Sequence, residues 1–111
     1  MKLASKKRKS ALLQNLVKQK ILKTFPHLKN KDVITAATGE NGPDIKLSKV
    51  AQKLVGCQFE IKNQQKMKTV YDWYRQAEKN SHKLMPTVGC KMNTREPIVV
   101  INMEDFFKLI S

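Results

Sequence analysis

Apolar residues recur along this chain at two spacings, and the spacing predicts which segments are helices and which are strands. A helical period begins at Ser10, a suitable N-cap, and continues to about Phe25, where Pro26 ends the helix. The same period predicts a second helix over residues 64–80 and a closing helix over residues 104–110.

Shorter apolar runs bounded by turn residues predict strands in the centre of the chain. The turn sequence at residues 39–43 precedes one such run, Asp44–Leu47, and residues 57–62 form another. Between these two runs, residues 48–56 suggest a short helical turn. Residues 32–38 stay ambiguous, because they combine strand-favouring Val-Ile-Thr with helix-favouring Ala-Ala-Thr.

Two more strands are predicted in the C-terminal half, at residues 86–92 and 97–103. The continuous apolar run Ile98–Ile101 favours a buried, central strand. The turn residues at 93–96 join the two runs, with a hairpin as one option. The order of helix, strands, helix, two strands and helix predicts an α/β layered domain with a mixed sheet.

The charge of the chain changes this picture more than its length does. A chain of 111 residues suits one compact domain, predicted here for residues 10–111 after a basic flexible arm at residues 1–9. The net charge is +13, and the first 31 residues hold ten Lys and Arg and no acid. Such a balance favours nucleic acid as the partner. A ribosomal or architectural protein would have the same charge, so charge alone does not predict catalysis.

The location of the protein is predicted from what the sequence lacks. No apolar run approaches the ~18–20 residues of a membrane span, and the N-terminus has no apolar signal core. The basic tract at residues 6–9 fits either a nuclear localisation signal or a phosphate-binding arm, and we favour the arm. Cys57 and Cys90 lack metal-ligand spacing and are expected to be reduced core residues. These features predict a cytoplasmic protein, in the host cytoplasm if a phage encodes it.

The candidate catalytic residues lie in two of the predicted strands, each of which contains an acidic residue. Asp44 begins one strand, and Glu60-Ile61-Lys62 lies in the next. Because strand side chains alternate, Glu60 and Lys62 would share a face. Two carboxylates suit Mg²⁺, and a neighbouring ammonium can offset charge on a phosphate. The pattern predicts a phosphodiester hydrolase. The alternative is that Asp44 is only a turn residue and Glu60–Lys62 an ordinary surface ion pair.

The same residues resemble the motif of the PD-(D/E)xK nuclease superfamily. Pro43-Asp44 matches its first half and Glu60-Ile61-Lys62 its second, within the longer phrases at residues 39–48 and 59–64. Within the superfamily the chain is most similar to the phage and archaeal Holliday-junction resolvase-type endonucleases. The resemblance implies a restriction-endonuclease-like core with a mixed central β-sheet flanked by helices. It also implies hydrolysis of DNA by metal-activated water at Holliday junctions or other branched DNA.

The resemblance also implies roles for individual residues. Carried over by position, the catalytic residues are Asp44, Glu60, Lys62 and Gln64. The metal, Mg²⁺ with Mn²⁺ as a substitute, would be held by Asp44, Glu60 and the Ile61 carbonyl. Many relatives place a further Glu on the first helix, and this chain has none there. Glu40, in the loop before Asp44, is the candidate replacement.

Further residues are candidates for contact with DNA or with a second subunit. The predicted DNA-binding residues are Lys6, Lys7, Arg8, Lys9, Lys18, Lys46, Lys66 and Lys68. Tyr71, Trp73 and Tyr74 suit either base stacking or the core, and the core is favoured. A four-way junction has twofold symmetry, which favours a homodimer formed by the C-terminal strands and the last helix, with Phe106, Phe107 and Leu109.

Two other functions compatible with the sequence remain open. One is a basic nucleic-acid-binding protein without catalysis, in which the acids are structural. The other is a nicking endonuclease of the same superfamily.

Overall fold

The computed structural model describes residues 3–37 and 40–111, with side chains from Arg8 onward. Four helices and four strands occur in the order α1 (Leu3–Thr24), β1 (Val33–Thr35), β2 (Ile45–Leu47), α2 (Lys49–Val55), α3 (Lys68–Ser81), β3 (Thr87–Cys90), β4 (Ile98–Ile101) and α4 (Met103–Ile110). The protein is therefore a small α/β protein, as predicted. It divides into two compact units, residues 1–63 and residues 64–110.

Helix α1 is longer than its apolar pattern predicts. It begins at Leu3 instead of Ser10, so residues 3–9 of the predicted flexible arm (residues 1–9) belong to the helix, and Met1 and Lys2 lie outside the described residues. The helix ends at Thr24, before Pro26, whose ring cannot continue it. Val17 and Ile21 are one turn apart and fully buried, and α1 packs against β1. Burial is thus concentrated in the second half of the helix.

Strands β1 and β2 pair antiparallel, with Val33 opposite Leu47 and Thr35 opposite Ile45. Val33 and Ile45 have no exposed surface, and α2 adds Ala51 and Val55 to the same core. The ambiguous segment at residues 32–38 therefore contains a strand, because the buried Val33 is covered by α1. The burial of these side chains is the main stabilising contribution in this unit.

Helix α2 confirms the prediction for residues 48–56, and both of its ends have a physical cause. Ser48 is the N-cap, and its Oγ accepts a hydrogen bond from the backbone N–H of Ala51 at 3.2 Å. Gly56 ends the helix with φ +71°, a left-handed conformation that glycine adopts at little cost.

The predicted strand at residues 57–62 is wrong, since this segment pairs with no strand. Asp44, predicted to begin a strand, lies immediately before β2. The physical reason lies in the hydrogen bonds. Ile61 donates its backbone N–H to a side chain, the Asp44 carboxylate, and Gln58 reaches β2 through its side-chain amide. Hydrogen bonds between side-chain and backbone groups thus take the place of some of the backbone hydrogen bonds that a pair of strands would form.

In the second unit, β3 and β4 pair antiparallel, with Thr87 opposite Ile101 and Cys90 opposite Ile98. This confirms the hairpin, and α4 spans nearly the predicted residues. The four strands form two separate antiparallel sheets in the described part of the chain, where one mixed sheet was expected. Ile98 and Val99 are 62% and 66% exposed, so the predicted buried central strand is also wrong. β4 has a neighbour along one edge alone, which leaves its apolar run uncovered.

Other predictions about burial also differ from the structure. Helix α3 begins at Lys68, and Tyr71 and Trp73 on it are 61% and 44% exposed, so these two aromatics are not core residues. Cys57 and Cys90 are free and half-buried. Within residues 3–37 and 40–111, no helix is long and apolar enough to cross a membrane.

Candidate active site

One hydrogen bond joins the two halves of the acidic motif. The backbone N–H of Ile61 donates to Asp44 Oδ2 at 2.7 Å, although the two residues are 17 positions apart in the chain. Asp44 is held at the start of β2 by the fully buried side chain of Ile45. The segment Glu60-Ile61-Lys62 is therefore fixed against the start of β2, next to the Asp44 carboxylate.

Two amide side chains that the sequence analysis did not single out hold the same segment. Gln58 Nε2 donates to the carbonyl oxygen of Ile45 at 2.7 Å. Asn63 Nδ2 donates to the carbonyl oxygen of Lys9 in α1 at 3.4 Å. Gln58 precedes the motif and Asn63 follows it, and each side-chain amide donates to a backbone carbonyl oxygen. Nothing in the sequence distinguishes these two amides, because their bonds depend on how distant segments pack.

The two acids of the motif are neighbours in space. The Glu60 side chain lies close enough to the Asp44 carboxyl to lower its pKa. Lys62 Nζ lies 3.6 Å from Glu60 Oε2, and both of these side chains are mostly exposed, at 62% and 70%. Asp44 is half-buried beneath them. The structure thus brings together Asp44, Glu60 and Lys62 as predicted, on a face open to a large substrate.

The pKa of the Asp44 carboxyl lies below its ordinary value of 3.8. The main cause is the hydrogen bond from the Ile61 N–H, followed by the contact with the Glu60 carboxyl, while partial burial opposes the shift. The positive charge of Lys62 lowers the pKa of Asp44 further. Asp44 is therefore ionised at neutral pH, the state in which a carboxylate can bind a cation.

A pair of adjacent carboxyl groups has a chemical consequence. Two ionised carboxylates held close together repel each other. A divalent cation bound between them can relieve this repulsion. The oxygen donors of Asp44, Glu60 and the Ile61 carbonyl suit Mg²⁺, which keeps several waters and shares its remaining positions with phosphate.

Glu40 is engaged elsewhere. Its carboxylate forms an ion pair with Lys46 and accepts the backbone N–H of Ala37 at 2.8 Å. Among the described residues, no three His, Cys, Asp or Glu side chains are close enough together to hold a metal ion. The structure therefore places Glu40 with Lys46, and not with Asp44 and Glu60 as a third carboxylate.

The predicted DNA-binding residues are dispersed. Arg8 and Lys9 are exposed on α1, and Lys18 is half-buried there. The side chains of Lys6 and Lys7 lie outside the described residues. Lys46 is paired with Glu40, so part of its charge is already neutralised.

Three predicted residues belong to the second unit. Gln64 and Lys66 are exposed in the segment before α3. Lys68 begins α3, and its Nζ lies 2.6 Å from Asp72 Oδ2. Arg75 contacts the other oxygen of the same carboxylate, Asp72 Oδ1, at 3.0 Å. Lys68 is therefore a weaker candidate for phosphate contact than an unpaired lysine.

Asp32 is an acid that the sequence analysis missed, and its role is structural. Its Oδ1 accepts the Ser48 hydroxyl at 2.7 Å, and its Oδ2 accepts the Lys29 backbone N–H at 2.8 Å. These two bonds, the Lys29 bond first, lower the pKa of Asp32. They connect the 3₁₀ turn at Asn30–Asp32 to the N-cap of α2. Asp32 thus bonds to a cap, whereas Asp44 faces a second acid.

Comparison with family models, with curated proteins and with solved structures gives no match for this chain. The chemistry of the site is therefore inferred from its own residues and their geometry.

Proposed function

We propose that this protein is a metal-dependent endonuclease that hydrolyses DNA phosphodiester bonds, with Asp44, Glu60 and Lys62 at its active site. The observation that carries the proposal is the 2.7 Å bond from Ile61 N–H to Asp44 Oδ2. It brings two acids and a lysine to one exposed position, although they lie on separate segments of the chain.

The acids of the first unit support this assignment by their partners. Residues 1–63 contain 14 Lys and Arg but only four Asp and Glu. Asp32 bonds to Ser48 at a helix cap, and Glu40 pairs with Lys46. The Glu60 side chain, which pairs with Lys62, lies beside the Asp44 carboxyl in a unit whose net charge is +10. Such a field attracts DNA through counterion release.

Each residue would have a distinct task. The oxygens of Asp44, Glu60 and the Ile61 carbonyl would hold Mg²⁺, or Mn²⁺ in its place. When bound, this cation would act as a Lewis acid on water and phosphate. The Lys62 ammonium would orient the attacking water and offset charge on the phosphate. Gln64 would contact phosphate or water.

The finer fold belongs to the same proposal. We infer a restriction-endonuclease-like core in which residues 57–62 take the place of a third strand beside the β1–β2 pair. The Gln58 and Ile61 bonds toward β2 support this arrangement. The substrate would be a Holliday junction or other branched DNA, since a chain this small has little surface for reading base edges.

A homodimer follows from the substrate. Two coordinated cuts across a four-way junction need two sites related by a twofold axis. The dimer contact would use the C-terminal strands and α4, where Leu109 is 63% exposed and Phe107 is buried.

A second function has its own supporting observation. Lys62 already pairs with Glu60 on the surface, as an ordinary ion pair would, and exposed pairs contribute only ~0–1 kcal/mol. Together with the charge of +13, this supports a basic nucleic-acid-binding protein without catalysis. A nicking endonuclease of the same superfamily would use the nuclease site described above.

The test is a cleavage assay on a synthetic four-way junction and on linear duplex of the same sequence, with Mg²⁺ or with EDTA. Wild type, Lys62→Ala and a matched variant at an exposed lysine of α2, Lys53→Ala, are compared. Symmetric nicks near the junction that require Mg²⁺ and Lys62, but not Lys53, support the resolvase proposal. Metal-dependent cutting of both DNAs keeps the nuclease and removes the junction preference. Salt-sensitive binding without cutting favours the binding protein.

A further inference from the structure

The second unit contains an open groove of about 540 Å³ between α3 and β3. Its volume falls in the roughly 300–1,000 Å³ range of small-molecule pockets in general. The residues that matter for its chemistry are Trp73, Gln76, Asn80, Thr87, Gly89 and Lys91. An aromatic ring, two amides and a cation therefore share one open surface.

The helical wall of the groove combines stacking and hydrogen bonding. Trp73, Gln76 and Asn80 are three and seven residues apart, so they lie on one face of α3. Trp73 is 44% exposed, which leaves part of its indole ring available to a flat ligand. Each amide offers both a donor and an acceptor, as the edge of a nucleobase requires.

The wall of the groove that β3 forms has no side chain at Gly89. Thr87 and Gly89 are two residues apart in β3, so both lie on its exposed side, and Lys91 comes directly after the strand. A Cβ atom added at Gly89 would meet no atom within 4 Å, so the space above this residue is open. Lys91, although its Nζ donates to the Met92 carbonyl oxygen at 3.2 Å, adds a positive charge at the end of the groove.

We propose that this groove binds an unpaired nucleobase of single-stranded DNA together with the adjoining phosphate. Trp73 stacks on the base, Gln76 and Asn80 bond to its edge, and Lys91 attracts the phosphate. The proposal rests on the proposed function, because branched DNA that has a single-stranded arm, unlike a fully paired four-way junction, offers unpaired bases. The net charge of +13 favours a polyanion over a neutral planar ligand.

The decisive measurement is the intrinsic fluorescence of Trp73, the sole tryptophan in the chain. Wild-type protein without Mg²⁺ is titrated with oligothymidylate and, separately, with blunt duplex of equal phosphate content. Stacking on the indole predicts strong quenching by the single strand and little by the duplex. Binding of both DNAs is followed independently by the anisotropy of a label on the DNA. Binding without quenching by the single strand overturns the proposal, as does equal quenching by the two DNAs.

Variants of Trp73 and Tyr71 distinguish stacking of a base on Trp73 from general electrostatic attraction to DNA. Trp73→Ala should weaken binding of oligothymidylate by roughly 5- to 100-fold, the effect of losing one stacked base, while Trp73→Phe keeps most of the affinity. Tyr71→Ala is the matched control, because Tyr71 is an exposed aromatic on the opposite side of α3. Equal affinities for Trp73→Ala and Tyr71→Ala contradict the proposal.

A second pair of variants tests the groove without removing its aromatic ring. Gly89→Ala adds a methyl group to open space and should bind as wild type does. Gly89→Leu fills the groove and should reduce both quenching and affinity. If Gly89→Leu quenches as well as Gly89→Ala, the base does not lie in this groove.

Failure of this inference is distinguishable from failure of the nuclease proposal. Asp44→Asn should lose Mg²⁺-dependent cleavage and keep the fluorescence quenching. Trp73→Ala should lose the preference for single strands and still cut duplex with Mg²⁺ if the nuclease acts on linear DNA. Quenching without cleavage in wild type keeps the groove and removes the enzyme.

Discussion

The two compact units of this protein differ in how they use apolar and charged residues. Seven of the eight buried hydrophobic residues identified in the described chain lie in residues 1–63, and Phe107 alone lies in residues 64–110. The second unit instead exposes large apolar side chains, among them Leu84, Met92 and Val99. Because burial of apolar area drives folding, the first unit has the more stable core of the two.

The two units also differ in net charge. The first unit has a net charge of +10, and the second has eight Lys and Arg against five Asp and Glu, a net charge of +3. The acidic pair Asp44–Glu60 thus lies in the more basic and better-packed unit. A catalytic pair needs a rigid support and a field that attracts its substrate. The aromatic groove lies in the less packed unit, where exposed rings remain available for contact.

The largest expected effect is on catalysis, through the acids of the first unit. Asp44→Asn removes the charge and keeps an oxygen that can accept the Ile61 N–H, so the segment should remain in place. We expect cleavage of DNA to fall by at least about 10²-fold, with binding unchanged, as measured by single-turnover kinetics and anisotropy.

Glu40→Gln is the matched control for Asp44→Asn. Glu40 is also an acid of the first unit, but its carboxylate pairs with Lys46. Its variant should cut DNA at nearly the wild-type rate. Equal losses in the two variants would mean that acids in this unit act only through general charge or folding.

The next largest effect is on stability, and it tests the comparison of the cores. Ile45→Ala empties a fully buried position and should lower the free energy of unfolding by about 2–5 kcal/mol. Val99→Ala, at a position 66% exposed in β4, should lower it by less than about 0.5 kcal/mol. Urea denaturation followed by circular dichroism measures both. A larger loss for Val99→Ala would show that the apolar surface of β4 is covered in solution.

The sequence predicted best where local chemistry decides the structure. Ser48 and Gly56 are suited to the two ends of a helix, and α2 lies between them because a cap and a left-handed residue need no distant partner. The hairpin of β3 and β4 is similarly local. At the site, the proximity of Asp44 to Glu60–Lys62 was expected from two neighbouring strands, but the structure obtains it through the Ile61 N–H bond to Asp44.

The sequence predicted the structure less well where contacts between distant segments decide burial and strand pairing. Ile98–Ile101 has the composition of a buried strand, yet burial depends on a second neighbouring strand and a covering helix. Residues 57–62 have alternating apolar positions, but the Ile61 N–H bonds to a carboxylate in place of a backbone carbonyl. The bonds of Gln58 and Asn63 depend on tertiary placement, and their types carry no specific signal.

A smaller effect on stability is expected at the cap of α2. Ser48→Ala removes the hydroxyl that accepts the Ala51 N–H and donates to Asp32. The free energy of unfolding should fall by about 1 kcal/mol, within the range for lost N-caps. The control is Ser81→Ala, since Ser81 lies at the C-terminal end of α3 and its hydroxyl donates to the Glu78 carbonyl oxygen within the same helix. Thermal unfolding of both variants gives the comparison, and an equal shift in Tm would contradict a specific role for the cap.

The smallest expected effect compares an acid from each unit during acid titration. The pKa values of Asp44 and Asp72 both lie below 3.8, Asp44 mainly through the Ile61 N–H and Asp72 mainly through the Lys68 side chain. Because folding lowers both pKa values, both groups stabilise the protein above pH 3.8 and lose that contribution as the pH falls through the folded-state pKa.

Salt separates these two causes, because it screens an exposed ion pair more than a hydrogen bond from a fixed backbone N–H. Raising the salt concentration should therefore move the pKa of Asp72 toward 3.8 and leave the pKa of Asp44 closer to its low-salt value. Titration of the side-chain carboxyl carbons by NMR at low and high salt measures both values in one sample. A larger movement at Asp44 would mean that Lys62, and not the backbone of Ile61, keeps this carboxylate ionised. The active site would then depend on a mobile surface charge, and the first unit would lose the rigidity that distinguishes it from the second.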